Sequence, residues 1–77
     1  MEYLKSVIPV IESNYVNFTT VERSIADFFI YNREQMDFSA KSVAGKLFVS
    51  EASLSRFAKK CGFRGYREFI YQSGRTP

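Results

Sequence analysis

Apolar residues recur along this chain at helical spacing, and no segment alternates apolar and polar positions with a period of two. Leu4, Val7, Ile8 and Ile11 form a first stripe over roughly residues 2–14, and Pro9 inside it marks a kink or the start of the helix. Thr19 to Glu22 reads as a capping box, with the hydroxyl and the carboxylate each reaching the other residue's amide. Val21, Ile25, Phe28 and Phe29 then mark the inner face of a second helix that fades near Asn32. Residues 33–38 are polar around Met36 and Phe38, which predicts a turn or a short helical piece plugging the core. Ser39 caps a third helix of about eight residues, with Ala40, Val43, Ala44 and Leu47 on one face. Ser50 caps a fourth, from Glu51 to about Cys61, whose apolar set Leu54, Phe57, Ala58 and Cys61 falls at i, i+3, i+4 and i+7. Gly62 suits its left-handed end. A last helix begins near Gly65 or Tyr66, turns Tyr66, Phe69 and Ile70 inward and ends at Ser73-Gly74. Residues 75–77 are expected to be a frayed tail or the start of a linker.

A short helix, a turn of three or four residues and a second capped helix is the helix-turn-helix unit. Val43, Ala44, Leu47, Val49, Leu54 and Phe57 are the side chains that must meet inside its elbow. Ala44 matters there because a larger side chain would push the two axes apart. At 77 residues there is room for one domain, placed at residues 1–74, and eight Phe with five Tyr fill a core this small economically.

Charge sharpens the picture once it is divided. The net +3 hides an acidic half, where Lys5, Arg23 and Arg33 face six carboxylates up to Asp37. From Ser39 onward eight cations face only Glu51 and Glu68, so a polyanionic partner fits the half that holds the helix-turn-helix. The side of the fourth helix opposite Leu54 and Phe57 carries Ala52, Arg56, Lys59 and Lys60, flanked by Ser53 and Ser55. Ala52, Ser53 and Ser55 would let the helix approach base edges in a major groove, and Arg56 can fork onto guanine. Lys59 and Lys60 would neutralise phosphates, while Lys41 and the amides behind Ser39 would meet the flanking backbone, with Arg64 beside them. Ser50 has its cap as a sufficient role, and cations near a helix C-terminus are favoured by the dipole alone. Glu51 would sit near phosphates; it complements the dipole or accepts from a cytosine amino group. Each residue alone is ambiguous; together on one capped helix they point to duplex DNA.

Other chemistries find little support. The chain has no His, and its single Cys61 lies on the apolar stripe, where it reads as a small buried hydrophobe. Asp27, Glu34 and Asp37 lie at no spacing that would assemble a metal site or an acid–base pair. No enzyme activity, cofactor or metal is therefore expected. No apolar run approaches the ~20 residues of a membrane span, and the residues fit a cytoplasmic protein. Tyr66, Phe69 and Tyr71 alternate with Arg67 and Arg75, but helical spacing makes the aromatics core residues rather than base-stacking platforms, with Tyr71 left unassigned.

The runs FTTVERSIADF (18–28) and SEASLSRFAKKCGFRGY (50–66) resemble the amino-terminal DNA-binding domain of RpiR-type transcriptional regulators, and the likeness covers nearly the whole chain. It implies an all-α, homeodomain-like bundle of five or six helices, with Ser53, Ser55 and Arg56 on the recognition helix. It further implies a homodimer on an operator, control of sugar or amino-sugar catabolism genes, and a phosphosugar effector bound by a carboxy-terminal sugar-isomerase-type (SIS) domain. The chain stops where that second domain would begin, so a piece of a longer protein is expected. Phe48 also departs from the family's habit, because helix-turn-helix sequences often place Gly there. In a left-handed conformation it would cost about 1 kcal/mol unless the ring is buried.

The competing reading is a helical module that uses the same fold to hold a protein, its basic face docking an acidic surface. RNA binding is a weaker third, since it would want exposed aromatics.

Overall fold

Caps and backbone hydrogen bonds mark the ends of the five helices found among the described residues. The computed structural model describes residues 7–75. In order they form α1 (Ile8–Asn14), one 3-10 turn (Tyr15–Asn17), α2 (Thr20–Tyr31), α3 (Ala40–Leu47), α4 (Glu51–Lys60) and α5 (Tyr66–Ser73), with no strand among the described residues. Pro9 lies in the first turn of α1, where its missing amide costs nothing, so the helix starts there rather than kinking. The earlier part of the expected first stripe, including Leu4, lies outside the described residues. Both halves of the capping box form on α2: the Glu22 amide donates to Thr19 Oγ1 and the Thr19 amide to Glu22 Oε1. The segment after α2 takes no helical turn, and Phe38 plugs the core from irregular chain.

Three helices end alike. After α3, α4 and α5 a left-handed residue follows, and the next amide bonds back five residues: Val49 to Ala44, Phe63 to Ala58, Arg75 to Ile70. This double reversal satisfies carbonyls that a helix end leaves orphaned. Gly62 and Gly74 fill the left-handed position in two cases; Phe48 fills it in the third.

The core is aromatic. Phe29 of α2 is fully buried and packs edge-on against Phe69 at 4.8 Å, with Phe57, Phe38 and Tyr66 also around it. Phe57 reaches Phe69 at 5.3 Å and Phe18 at 5.2 Å, so α4 is clamped between α2, α5 and the segment leading into α2. The Tyr66 hydroxyl donates to the Phe38 carbonyl at 2.7 Å, pinning the start of α5 to the chain that enters α3. Burial holds that phenol far above its ordinary pKa, so it remains a donor.

Two expectations need correction. Val21 does not face inward: it is 44% exposed, because Glu22 takes the buried position beside it in the first turn of α2. Arg75 is not part of a frayed tail. Its guanidinium lies 5.5 Å from the Phe29 ring centre and 5.7 Å from that of Phe38, and it donates to the Phe29 carbonyl at 3.1 Å. One of its nitrogens, Nη1, is buried without a hydrogen-bond partner, which offsets part of the gain. Arg75→Ala should therefore lower stability by about 1 kcal/mol in urea denaturation; an unchanged midpoint would show that the contact contributes nothing.

Candidate nucleic-acid interface

The α3–turn–α4 elbow is apolar inside, and its outside is polar apart from Phe48. Val43, Ala44, Leu54 and Phe57 are buried, with Leu47 and Val49 packed against them. Each helix begins on a serine cap. Ser39 Oγ accepts from the Ser42 amide at 3.3 Å, and Ser50 Oγ accepts from the Ser53 amide at 3.1 Å.

The amino-terminal half of α4 carries a short chain of side chains. Ser50 Oγ and Ser53 Oγ lie 2.9 Å apart, and Arg56 donates from Nη2 to Ser53 Oγ at 3.3 Å. Side chains on a helix lean toward its N-terminus, and here Arg56 is held in that direction along its own helix. A guanidinium has five donors, and this bond uses one. Ser53 itself, expected at base edges, is only 8% exposed. Its hydroxyl is enclosed by Ser50 and Arg56, which makes it a support for Arg56 rather than a surface group. Glu51, Ala52, Arg56 and Lys59 are exposed on the outer face and Ser55 is half-buried, as the helical spacing requires.

Lys60 is also placed differently from its expectation at a phosphate. Its ammonium donates to Glu22 Oε1 at 2.7 Å and to the Asn17 carbonyl at 2.9 Å, fastening the end of α4 to the start of α2. Helical periodicity could not reveal this, because the partners lie about 40 residues away. The Glu22 side chain is buried, and burial alone would raise its pKa. The bonds from Lys60 and from the Thr19 amide outweigh that, leaving the carboxyl below its ordinary value.

The amino-terminus of α3 is partly occupied as well. Asp37 accepts from the Ser39 amide at 3.0 Å and from the Ser42 hydroxyl at 2.8 Å. Those two bonds, the Ser39 amide foremost, hold its carboxyl below its usual range. A charged carboxylate at this helix end competes with a phosphate, so the expected anion site behind Ser39 is not an open one. Lys41 is exposed in the same turn. Arg64 is exposed after α4, and its amide donates to Glu68 at 2.6 Å, organising the start of α5.

Phe48 is left-handed, with φ 58° and ψ 43°, and its side chain is 94% exposed. The ring is therefore not buried to offset the strain, and the cost of about 1 kcal/mol stands. Cys61 is buried, which pushes its thiol up to about 11 and removes it from nucleophilic chemistry. Among the described residues no group of His, Cys, Asp and Glu could hold a metal, and no helix is long and apolar enough to cross a membrane.

A model of the helix-turn-helix domain of the rpiR family matches residues 5–72. A search of curated proteins finds no match.

The Glu22–Lys60 pair makes a prediction with a definite sign. Because the folded-state pKa of Glu22 lies below its unfolded value of about 4.5, its stabilisation is complete above that pH and is lost as pH falls through the folded value. Lys60→Met should lower stability at pH 7 by about 1–2 kcal/mol, discounted for the exposure of the lysine. It should also flatten the acid-side fall in melting temperature, whereas Lys59→Met should cost only the few tenths of a kcal/mol of a cation at a helix C-terminus and leave the acid-side slope unchanged.

Proposed function

Because the chain belongs to the rpiR family of helix-turn-helix domains, a DNA-binding and non-enzymatic fold of transcription regulators, we propose that it reads operator DNA with α4 in the major groove. The observation that carries this is the Ser50–Ser53–Arg56 chain, which holds a guanidinium on the exposed amino-terminal half of a helix clamped from behind by Phe57. A positioned, planar donor set suits the two acceptors of guanine, N7 and O6. Glu51, Ala52 and Ser55 share the same end of the helix, where their small or acidic side chains would lie at base edges. Lys59, Lys41 and Arg64 would meet phosphates on either side. Ser50 serves as cap, Ser53 positions Arg56, and Lys60 anchors α4 to the scaffold.

The finer reading rests on the family. Two copies would read paired half-sites as a homodimer. Control of sugar or phosphosugar metabolism in bacteria would come through a phosphosugar effector on an SIS domain outside these 77 residues. No observation on the structure favours the protein-docking module over DNA.

Selection from a randomised duplex library, followed by anisotropy titrations across salt, tests this reading. Arg56→Ala should cost about 1–3 kcal/mol on the selected sequence and relax preference at one position. Lys59→Ala should weaken all duplexes alike and reduce the salt slope by about one. Absence of any enriched sequence with the unaltered chain would defeat the proposal.

A further inference from the structure

Two neighbouring positions in the elbow carry residues that each destabilise their local backbone. Gly45 sits inside α3 on its exposed side, where a Cβ would meet nothing within 4 Å and alanine would be the better helix former. Three residues on, Phe48 occupies the left-handed position that Gly62 and Gly74 fill at the other two helix ends of the same design. The chain thus has glycine where helix favours alanine, and phenylalanine where the turn favours glycine. Among the described residues nothing compensates either choice, since Gly45 faces open space and the ring is almost wholly exposed. Uncompensated strain concentrated on one surface points to a partner outside the domain.

The surroundings of the ring say which partner. The other large exposed apolar residues among those described are Val16, Val21, Tyr31 and Tyr71. Val16 and Val21 neighbour Asn17 and Glu22, which hold Lys60 at the far end of α4, some 15 Å away along that helix. Tyr31 lies one turn beyond Asp27, the acceptor of the Tyr15 hydroxyl near α1. Tyr71 lines an open groove with Ser39 and Ala40, at the opposite end of α3. Among the described residues, Phe48 is therefore no part of a continuous apolar patch of the kind that marks a protein interface. Its exposed neighbours are Gly45, Lys46, Ser50, Glu51 and Ala52, and it precedes by two residues the cap of the helix assigned to the major groove.

We infer that Phe48 is a specificity-determining residue whose ring meets the C5-methyl of a thymine at the rim of the bases read by α4, with Gly45 left bare so that the duplex backbone can come close. This rests on the DNA-reading role of α4. The major groove presents that methyl as its one apolar feature, and phenylalanine is among the side chains that contact it.

The 77-residue chain, Phe48→Ala, Phe48→Gly and Gly45→Ala are each passed through the randomised-duplex selection. The best sequence is then rebuilt with deoxyuridine replacing thymine at one position at a time. The unaltered chain should bind one uridine-substituted duplex about fourfold more weakly, the effect of one buried methyl at ~0.8 kcal/mol. Phe48→Ala should select sequences without that thymine and show no response to the substitution, while keeping the preference that Arg56 imparts. Phe48→Gly should melt roughly 4–8 °C higher, and Gly45→Ala roughly 2–8 °C higher, with weaker duplex binding in both, so loss of fold cannot explain the loss of affinity. If Phe48→Ala selects the same sequences with unchanged affinity, or loses all duplexes equally, the inference is overturned. If the unaltered chain enriches nothing, the assignment of α4 fails first, and that outcome is distinct because it precedes any comparison of variants.

Discussion

The Phe29 ring is where the elements of this domain meet. It lies against Phe57 of α4, Phe69 and Tyr66 of α5 and Phe38 of the chain entering α3, with the Arg75 guanidinium over it. A domain this small has few independent ways to orient a helix, and large rings supply them because each buries 150–250 Å² in a defined geometry. Truncating such a ring typically costs 3–5 kcal/mol, a large share of the 5–15 kcal/mol that holds a domain together. The exposed face of α4 is therefore fixed by aromatic contacts on its hidden face, and the preorganisation that DNA reading requires originates in α2.

The helices themselves were legible because their signals are local. Thr19, Ser39 and Ser50 are caps whose partners lie three residues on, and Gly62 and Gly74 are stops that act within one turn. The apolar stripe of α4 was equally readable, since Leu54, Phe57 and Ala58 are buried as their spacing requires. What was not legible depends on residues distant in sequence or on competition within one turn. Val21 and Glu22 are adjacent, and composition favours the valine inside. Glu22 goes inside because Lys60 arrives to compensate its charge. Arg75 looked like tail because its partners, Phe29 and Phe38, are some 40 residues earlier. Ser53 lies between the buried and exposed arcs of the helix, where spacing alone cannot say which way a small hydroxyl turns.

The division of charge acquires a structural meaning from these contacts. The basic half holds eight cations, yet Lys60 is paired with Glu22 and the Arg75 guanidinium is stacked on core rings. The acidic half is not merely inert scaffold, since Glu22 supplies the carboxylate that draws Lys60 back. Lys60 and Lys59 are adjacent in sequence and nearly indistinguishable by composition, but one is a tether and the other stands on the exposed face.

Three attachments along α4 act together. Ser50 closes its first turn, Leu54 and Phe57 fix its middle against the core, and Lys60 ties its last turn to α2. Ring packing fixes which face of α4 is hidden, but small rolls about its axis remain cheap, because apolar contacts are only weakly directional. A polar tether at one end and a cap at the other remove that freedom, since hydrogen bonds weaken steeply when misaligned. Ser53 then carries the same constraint outward, from the cap to the guanidinium of Arg56. The exposed residues of α4 are thus held at a set angle by bonds that none of them makes with a ligand, and of the polar groups that set it only the Ser50 cap is recognisable from spacing.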